Sequence, residues 1–221
     1  MSAEAKRILI TGASGSGKST LMNQIIAGQR RLIVFDYLPT GARRAQKLRL
    51  RHFTKLWKVR AEIAAHYDSF RIWYQPPMGQ QIDAMHELAT FLWRVQEKMG
   101  SPMKGYPLIT LAVDEAKHPF PVYSLPVNKR GFYDLCTAGR HMGVNIVAAT
   151  QRPAQINTEL RGNLSAGYFF QLTDAADLDA VRPIGGRELV RFVASAPRYH
   201  YCRRAPGPDG RPVLTNGVTR P

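Results

Sequence analysis

The sequence predicts an α/β protein with a mostly parallel sheet and helices on both faces. Three observations carry this expectation. Apolar runs along the chain are continuous rather than alternating: "RILIT" (7–11), "RLIVFD" (31–36), "YPLITLAVDE" (106–115) and "GVNIVAATQ" (143–151). Continuous runs are expected of strands buried on both sides. Stretches with helical spacing lie between them. The first run passes through a Gly-rich turn straight into one such stretch.

Taken in order, residues 7–11 predict a short strand and Lys18 to about Ala27 a helix. "RLIVFD" is a second strand ending in an acid, and "RIWY" (71–74) is a candidate third. Residues 81–99 place Ile82, Met85, Leu88, Ala89, Leu92, Val95 and Met99 at helical spacing. Strands follow at 106–115, 143–151 and 166–172 ("AGYFFQL"). The end, "APGPDGRPVLTNGVTRP", is rich in Pro and Gly without periodicity. It is expected to be a flexible tail over 206–221, or an arm docking on a neighbour, after a single domain over 1–205.

With 221 residues and 44% apolar content, the chain can bury one substantial core. Its two cysteines, Cys136 and Cys202, lack the paired spacing of a zinc site or disulfide scaffold. "MSAEAKR" has no apolar signal core, and no run of about 18 apolar residues occurs. The expectation is a chain neither secreted nor membrane-spanning. The net charge of +15 points to a polyanionic partner.

The Gly-rich turn fits G-x-x-x-x-G-K-[ST] through Gly12, Gly17, Lys18 and Ser19, with a strand before it and a helix after. Glycines let backbone N–H groups approach phosphate oxygens, and the helix turns its positive end toward them. Residues Gly12, Ala13, Ser14, Gly15, Ser16, Gly17, Lys18, Ser19 and Thr20 are the expected ATP cradle. Lys18 would reach the outer phosphates and Ser19 would offer a hydroxyl to Mg²⁺. Asp114, ending an apolar run, is the expected second metal residue. Glu115 directly after it suits polarisation of an attacking water, so the pair suggests hydrolysis. Gln151, at the end of "IVAAT", is a candidate sensor of the outer phosphate. Asp36 is a weaker candidate for the nucleotide site or an intersubunit contact.

"GRHMGVNIVAATQRP" (139–153) resembles the segment leading into the sensor strand of FtsK-type DNA translocases. The motif order resembles the FtsK–HerA superfamily: phosphate loop at 12–19, acidic strand end at 109–115, then a strand ending in Gln. "LRGNLSAGYFFQLTDAADLDAV" (160–181) resembles that superfamily's next segment. The resemblance covers about residues 6–185. It implies a RecA-like P-loop NTPase core, with an added strand between the phosphate-loop and acidic strands, built into a homo-oligomeric, hexameric ring that moves double-stranded DNA. It also implies that Lys18, Glu115 and Gln151 are catalytic and that Ser19 and Asp114 bind the metal. Arg140 is then the candidate arginine finger given to a neighbouring subunit, with Arg152 and Arg161 behind it. The compact size most resembles genome-packaging ATPases of tailless viruses with an internal membrane; Zot-type phage assembly proteins are related. That implies the host cytoplasm or a virion vertex, with capsid or membrane-anchored viral proteins as further partners. The alternatives are a plasmid or cellular HerA-like motor and, from another class, a P-loop small-molecule kinase.

Residues 43–60, "RRAQKLRLRHFTKLWKVR", hold eight basic residues, and no acid lies between Asp36 and Glu62. Arg43, Arg44, Lys47, Arg49, Arg51, Lys55 and Lys58 are the candidate DNA contacts, and Lys129 and Arg130 are candidates for a second basic loop. The competing reading of 43–60 is an amphipathic surface helix with a solvated basic face. Arg203, Arg204, Arg211 and Arg220 near the end could meet DNA, a capsid vertex or lipid headgroups.

Overall fold

The computed structural model describes residues 5–39, 41–99 and 108–219. Nine strands form one sheet: β1 (Arg7–Thr11), β2 (Arg31–Phe35), β3 (Arg51–Phe53), β4 (Phe70–Tyr74), β5 (Ile109–Val113), β6 (Val144–Thr150), β7 (Ala166–Phe169), β8 (His200–Pro206) and β9 (Pro212–Val218). Their spatial order is β3-β4-β2-β5-β6-β1-β7-β8-β9. Every pairing from β3 to β7 is parallel. The last two strands run antiparallel. The strand expected between the phosphate-loop and acidic strands is β6, seated between β1 and β5.

Among the described residues, seven α-helices link the strands: α1 (Lys18–Ile26), α2 (Gly41–Lys47), α3 (Leu56–Ala65), α4 (Gln81–Lys98), α5 (Gly131–Ala138), α6 (Thr158–Gly162) and α7 (Ala175–Ser195). Alternate residues of a strand face opposite sides of a sheet, so the apolar runs feed two cores. Ile33 and Phe35 of β2 join Val59, Leu88, Leu92, Leu135 and Val181 from the helices of one face. Leu32 and Val34 join Met22 and Ile26 of α1 on the other. The continuous apolar runs thus report a sheet covered on both faces. Within α7, Gly185 (φ −140°) and Gly186 (φ +67°) leave helical geometry and break the rod. Among the described residues, no helix is long and apolar enough to cross a membrane.

The structure departs from the expectations at two places. The basic segment 43–60 is not one amphipathic helix. It holds the end of α2, the edge strand β3 and the start of α3. Three residues are too few to show a strand period, and β3 is held by parallel pairing with β4 and by His52 stacking on Trp73 at 4.0 Å. The second departure is the expected flexible tail at 206–221. Pro212–Val218 form β9, paired along its whole length with β8. "PDG" makes the connecting turn: Gly207 N–H donates to the Arg211 carbonyl at 2.7 Å, and Gly210 takes φ +78°. Pro and Gly here serve turn geometry rather than disorder. Residues 106–107 of the run at 106–115, and Arg220, lie outside the described residues.

Candidate active site

The parallel strands β5, β6 and β1 are neighbours and end at the same edge of the sheet. The residues that follow them therefore converge: the Gly-rich loop after β1, Asp114 and Glu115 after β5, and Gln151 after β6. This is the edge at which open parallel sheets bind ligands.

The loop's shape depends on glycine. Gly12 has φ +153°, and a Cβ there would sit 2.5 Å from Phe170 Cβ. Gly17 has φ +112° at the mouth of α1, where a Cβ would sit 2.6 Å from Thr219 Cγ2. Lys18 is buried at 7% exposure, and its Nζ donates to the Ala13 carbonyl at 2.8 Å. Burial pushes the Lys18 ammonium below the ordinary lysine range, while the charges of Glu115 and Asp114 pull it back up.

Glu115 takes φ +48°, a conformation unusual for a residue with a side chain. Its N–H donates to Asp114 Oδ1 at 3.0 Å, and Ala116 N–H donates to the Ala149 carbonyl at 2.8 Å. The side chain is buried beside Gln151, whose Nε2 donates to Glu115 Oε1 at 2.7 Å. Glu115 Oε2 is buried with no hydrogen-bond partner among the described residues. A buried carboxylate with one oxygen held and the other unsatisfied can accept a hydrogen bond from a water in the cleft.

Two further charges complete the cleft. Arg44 reaches in from α2 and bridges Asp36 Oδ2 at 3.2 Å and Asp114 Oδ2 at 2.5 Å. All three side chains are sequestered, at 9% exposure for Arg44, 4% for Asp36 and 17% for Asp114. Burial, then the Asp114 charge, pushes the Asp36 carboxyl above the ordinary range, against the Leu38 N–H bond and the Arg44 charge. The cleft encloses about 390 Å³ and is lined by Lys18, Ser19, Asp36, Asp114, Glu115 and Gln151, among others. Ser19 and Asp114 present oxygen donors to it, the ligand type Mg²⁺ takes alongside phosphates and waters.

Lys18, Ser19, Asp114, Glu115 and Gln151 are thus brought together. Arg140 is not among them. It lies in the turn before β6, at the opposite edge of the sheet, with Nε donating to His141 Nε2 at 3.4 Å. Arg152 follows Gln151 but is tied to Asp174 at 3.1 Å and Asp177 at 2.7 Å. Arg161 donates to the Ala180 carbonyl at 3.2 Å.

The candidate DNA contacts divide. Arg44 belongs to the cleft rather than to a basic surface, and Arg43 and Lys47 line its rim. Arg51 pairs with Glu62 at 2.5 Å and Lys129 with Asp83 at 2.6 Å. Arg130 donates to the Leu125 carbonyl at 3.1 Å. Arg49, Lys55 and Lys58 are exposed. Sequence reasoning missed Arg44 as a cleft residue because a basic run hides the one member that points inward. The available signal was Asp36, an acid ending a buried strand and needing a counter-charge.

Fold and cleft together define a P-loop ATPase with a RecA-like core. A family model described as "Zonular occludens toxin (Zot)" matches residues 8–180, and the chain belongs to that family. Among solved structures, it is similar to the genome packaging NTPase B204 of Sulfolobus turreted icosahedral virus 2 in complex with AMP. The two share 18% identity over 98% of each chain, with a TM-score of 0.71. The DNA-packaging ATPase B204 from Sulfolobus turreted icosahedral virus is similar at 16% identity, covering 95% of this chain and 96% of that one, with a TM-score of 0.70. EssC (ATPases 2 and 3) from Geobacillus thermodenitrificans is similar at 13% identity over 97% of this chain and 40% of that one, with a TM-score of 0.61. No curated protein matches.

Proposed function

We propose that this chain hydrolyses ATP to move double-stranded DNA and serves as a viral genome-packaging motor. The observation that carries the reading is the Glu115 carboxylate: buried, oriented through Oε1 by Gln151, with Oε2 unsatisfied, in the cleft that also holds Lys18. Such a group is placed to take a proton from a water attacking the outermost phosphate.

In this reading the loop N–H groups and Lys18 hold the triphosphate. Ser19 and Asp114 hold Mg²⁺, which neutralises phosphate charge when bound. Glu115 Oε2 accepts the proton of the attacking water. Gln151 couples the outer phosphate to Glu115, so that loss of the phosphate changes the carboxylate's partner. Arg140 serves a neighbour. β6 has seven residues, so Arg140 stands about 20 Å from its own cleft at roughly 3.3 Å per residue. A ring of copies, of which six is the expected number, brings that edge to the next subunit's nucleotide, where a guanidinium stabilises developing charge.

The DNA assignment is supported by the net charge of +15 and by the exposed Arg49, Lys55 and Lys58. Such contacts hold phosphates without reading bases, as a motor on arbitrary sequence requires. B204, of similar fold, is a genome packaging NTPase. Work at the host cytoplasm or virion vertex, beside capsid or membrane-anchored viral proteins, follows from that role. A second reading comes from Thermomonospora curvata EccC (ATPases 2 and 3) in complex with a signal sequence peptide, which shares the fold at a TM-score of 0.57; it makes the cargo a polypeptide.

The test is ATP hydrolysis at moderate salt with and without long double-stranded DNA, for the native chain and Glu115→Gln. DNA stimulation that vanishes in the variant is expected, with turnover falling about 10²–10⁴-fold. Native hydrolysis indifferent to DNA overturns the DNA motor, and a polypeptide cargo is tested next.

A further inference from the structure

A second recess adjoins the cleft along the Gly-rich loop and carries no acidic residue in its lining. It encloses about 220 Å³ and is lined by Gly17, Thr20, Arg198 and Tyr199, with Gly15, Lys18 and Ser19 shared with the first cleft. Whole-ligand pockets run from about 300 Å³ upward, so this one suits part of a ligand.

Its outer wall comes from the far end of the chain. After α7, the turn into β8 places Tyr199 at φ +67°, strained for a residue with a side chain. The loop maintains that strain. Tyr199 N–H donates to the Ser16 carbonyl at 3.1 Å, and Arg198 Nε donates to the Gly15 carbonyl at 3.1 Å. The Tyr199 ring lies on the Gly17 backbone, its Cδ1 3.1 Å from where a Cβ would be. The Arg198 guanidinium stands 4.8 Å over that ring. Thr219, just past β9, accepts no slack: its N–H donates to the Tyr199 carbonyl at 2.9 Å and its hydroxyl bonds Gln24 of α1 at 3.3 Å. An exposed arginine stacked on a half-buried tyrosine is thereby fixed at the mouth of α1.

We propose that Arg198 and Tyr199 form the nucleobase end of the nucleotide site. The inference rests on the reading of the loop as a triphosphate cradle. Phosphates lying along the loop leave their outer end at Asp114 and Glu115. The nucleoside end must then exit on the side away from those acids, which is the side of this recess. The recess presents two flat surfaces, a guanidinium and a phenol ring, and planar bases stack on both. Spending a strained backbone and three hydrogen bonds to present them is unexplained by phosphate binding, which needs only the loop.

The experiment measures equilibrium binding of ATP and of inorganic tripolyphosphate to the native chain, Tyr199→Ala and Arg198→Ala. Tripolyphosphate reports the loop alone. The expected result is a loss of ATP affinity of about tenfold in Tyr199→Ala, from the stacking energy of one base. A smaller loss is expected in Arg198→Ala, and tripolyphosphate affinity is unchanged in both. Equal losses for the two ligands make the pair a buttress of the loop and overturn the proposal. Unchanged ATP affinity in both variants also overturns it. A native chain that binds neither ligand overturns the triphosphate-cradle reading, and this inference with it.

Discussion

Arg44→Ala separates two readings of one residue. As a member of the basic segment 43–60 it belongs on a DNA-facing surface. The structure instead buries it between Asp36 and Asp114, at 3.2 and 2.5 Å, with its side chain 9% exposed. Removing the guanidinium leaves two carboxylates facing each other across a cleft. Breaking a fully buried pair costs about 3–5 kcal/mol. The 17% exposure of Asp114 lets water screen part of this, which lowers the expectation to about 2–3 kcal/mol. For a domain of this size that is a fall in Tm of roughly 4–12 °C. Thermal and urea unfolding of the native chain and Arg44→Ala measure it. Adding Asp36→Asn to Arg44→Ala should restore most of the loss, since the repulsion then has one member. Mg²⁺ without nucleotide should raise the Tm of Arg44→Ala more than that of the native chain, because a cation can replace the missing charge at Asp114. If Arg44→Ala unfolds within about 0.5 kcal/mol of native and instead weakens DNA binding with a shallower salt dependence, the cleft assignment is refuted.

Other outcomes follow from the same geometry. Gln151→Ala removes the 2.7 Å bond that orients Glu115; ATP hydrolysis should fall at least about tenfold while ATP binding, followed by calorimetry, persists. Asp36 has its folded carboxyl pushed up, so the proton it holds stabilises the fold at acid pH. That contribution is lost as pH rises through the raised value. Asp36→Asn should therefore gain stability relative to the native chain as pH rises above the ordinary carboxylate range, read by urea unfolding. Gly17→Ala forces a Cβ to 2.6 Å from Thr219 Cγ2 at φ +112° and should cost about 1–3 kcal/mol in the same assay. Burial pushes the Cys202 thiol up to about 11, and the buried Cys136 thiol rises as well. Neither should react with iodoacetamide at neutral pH until the chain is denatured, as mass spectrometry would report.

The parts of the site that the sequence made legible are those where local chemistry and chain order coincide. The loop at 12–20 carries its own geometry in its glycines. Asp114, Glu115 and Gln151 announce themselves by ending apolar runs, because a parallel sheet collects its strand ends at one edge. Arg44 was illegible because seven neighbours of the same charge gave no sign that one turns inward; only the third dimension sets Asp36 and Asp114 within its reach. Arg198 and Tyr199 were illegible for a different reason. Their partners are Gly15 and Ser16, some 180 residues away, and no local pattern marks a contact at that separation.

The end of the chain shows how composition misleads when topology is unknown. Pro and Gly between 206 and 212 looked like disorder because no apolar periodicity surrounds them. β9 has none to show: most of its residues are exposed, and its stability comes from the ladder to β8. That ladder extends the sheet beyond β7 and returns the chain to the loop, where Thr219 is buried at 2% exposure against Gly17. Deleting 207–219 therefore tests more than a surface ornament. It removes the hydrogen bond that holds the Tyr199 carbonyl and the methyl group that fills the space beside Gly17. The strained turn at Tyr199 would lose its support, and nucleotide affinity should fall although the phosphate-loop residues remain. A truncated chain that binds ATP as the native one does would show that β1, α1 and Phe170 hold the loop unaided.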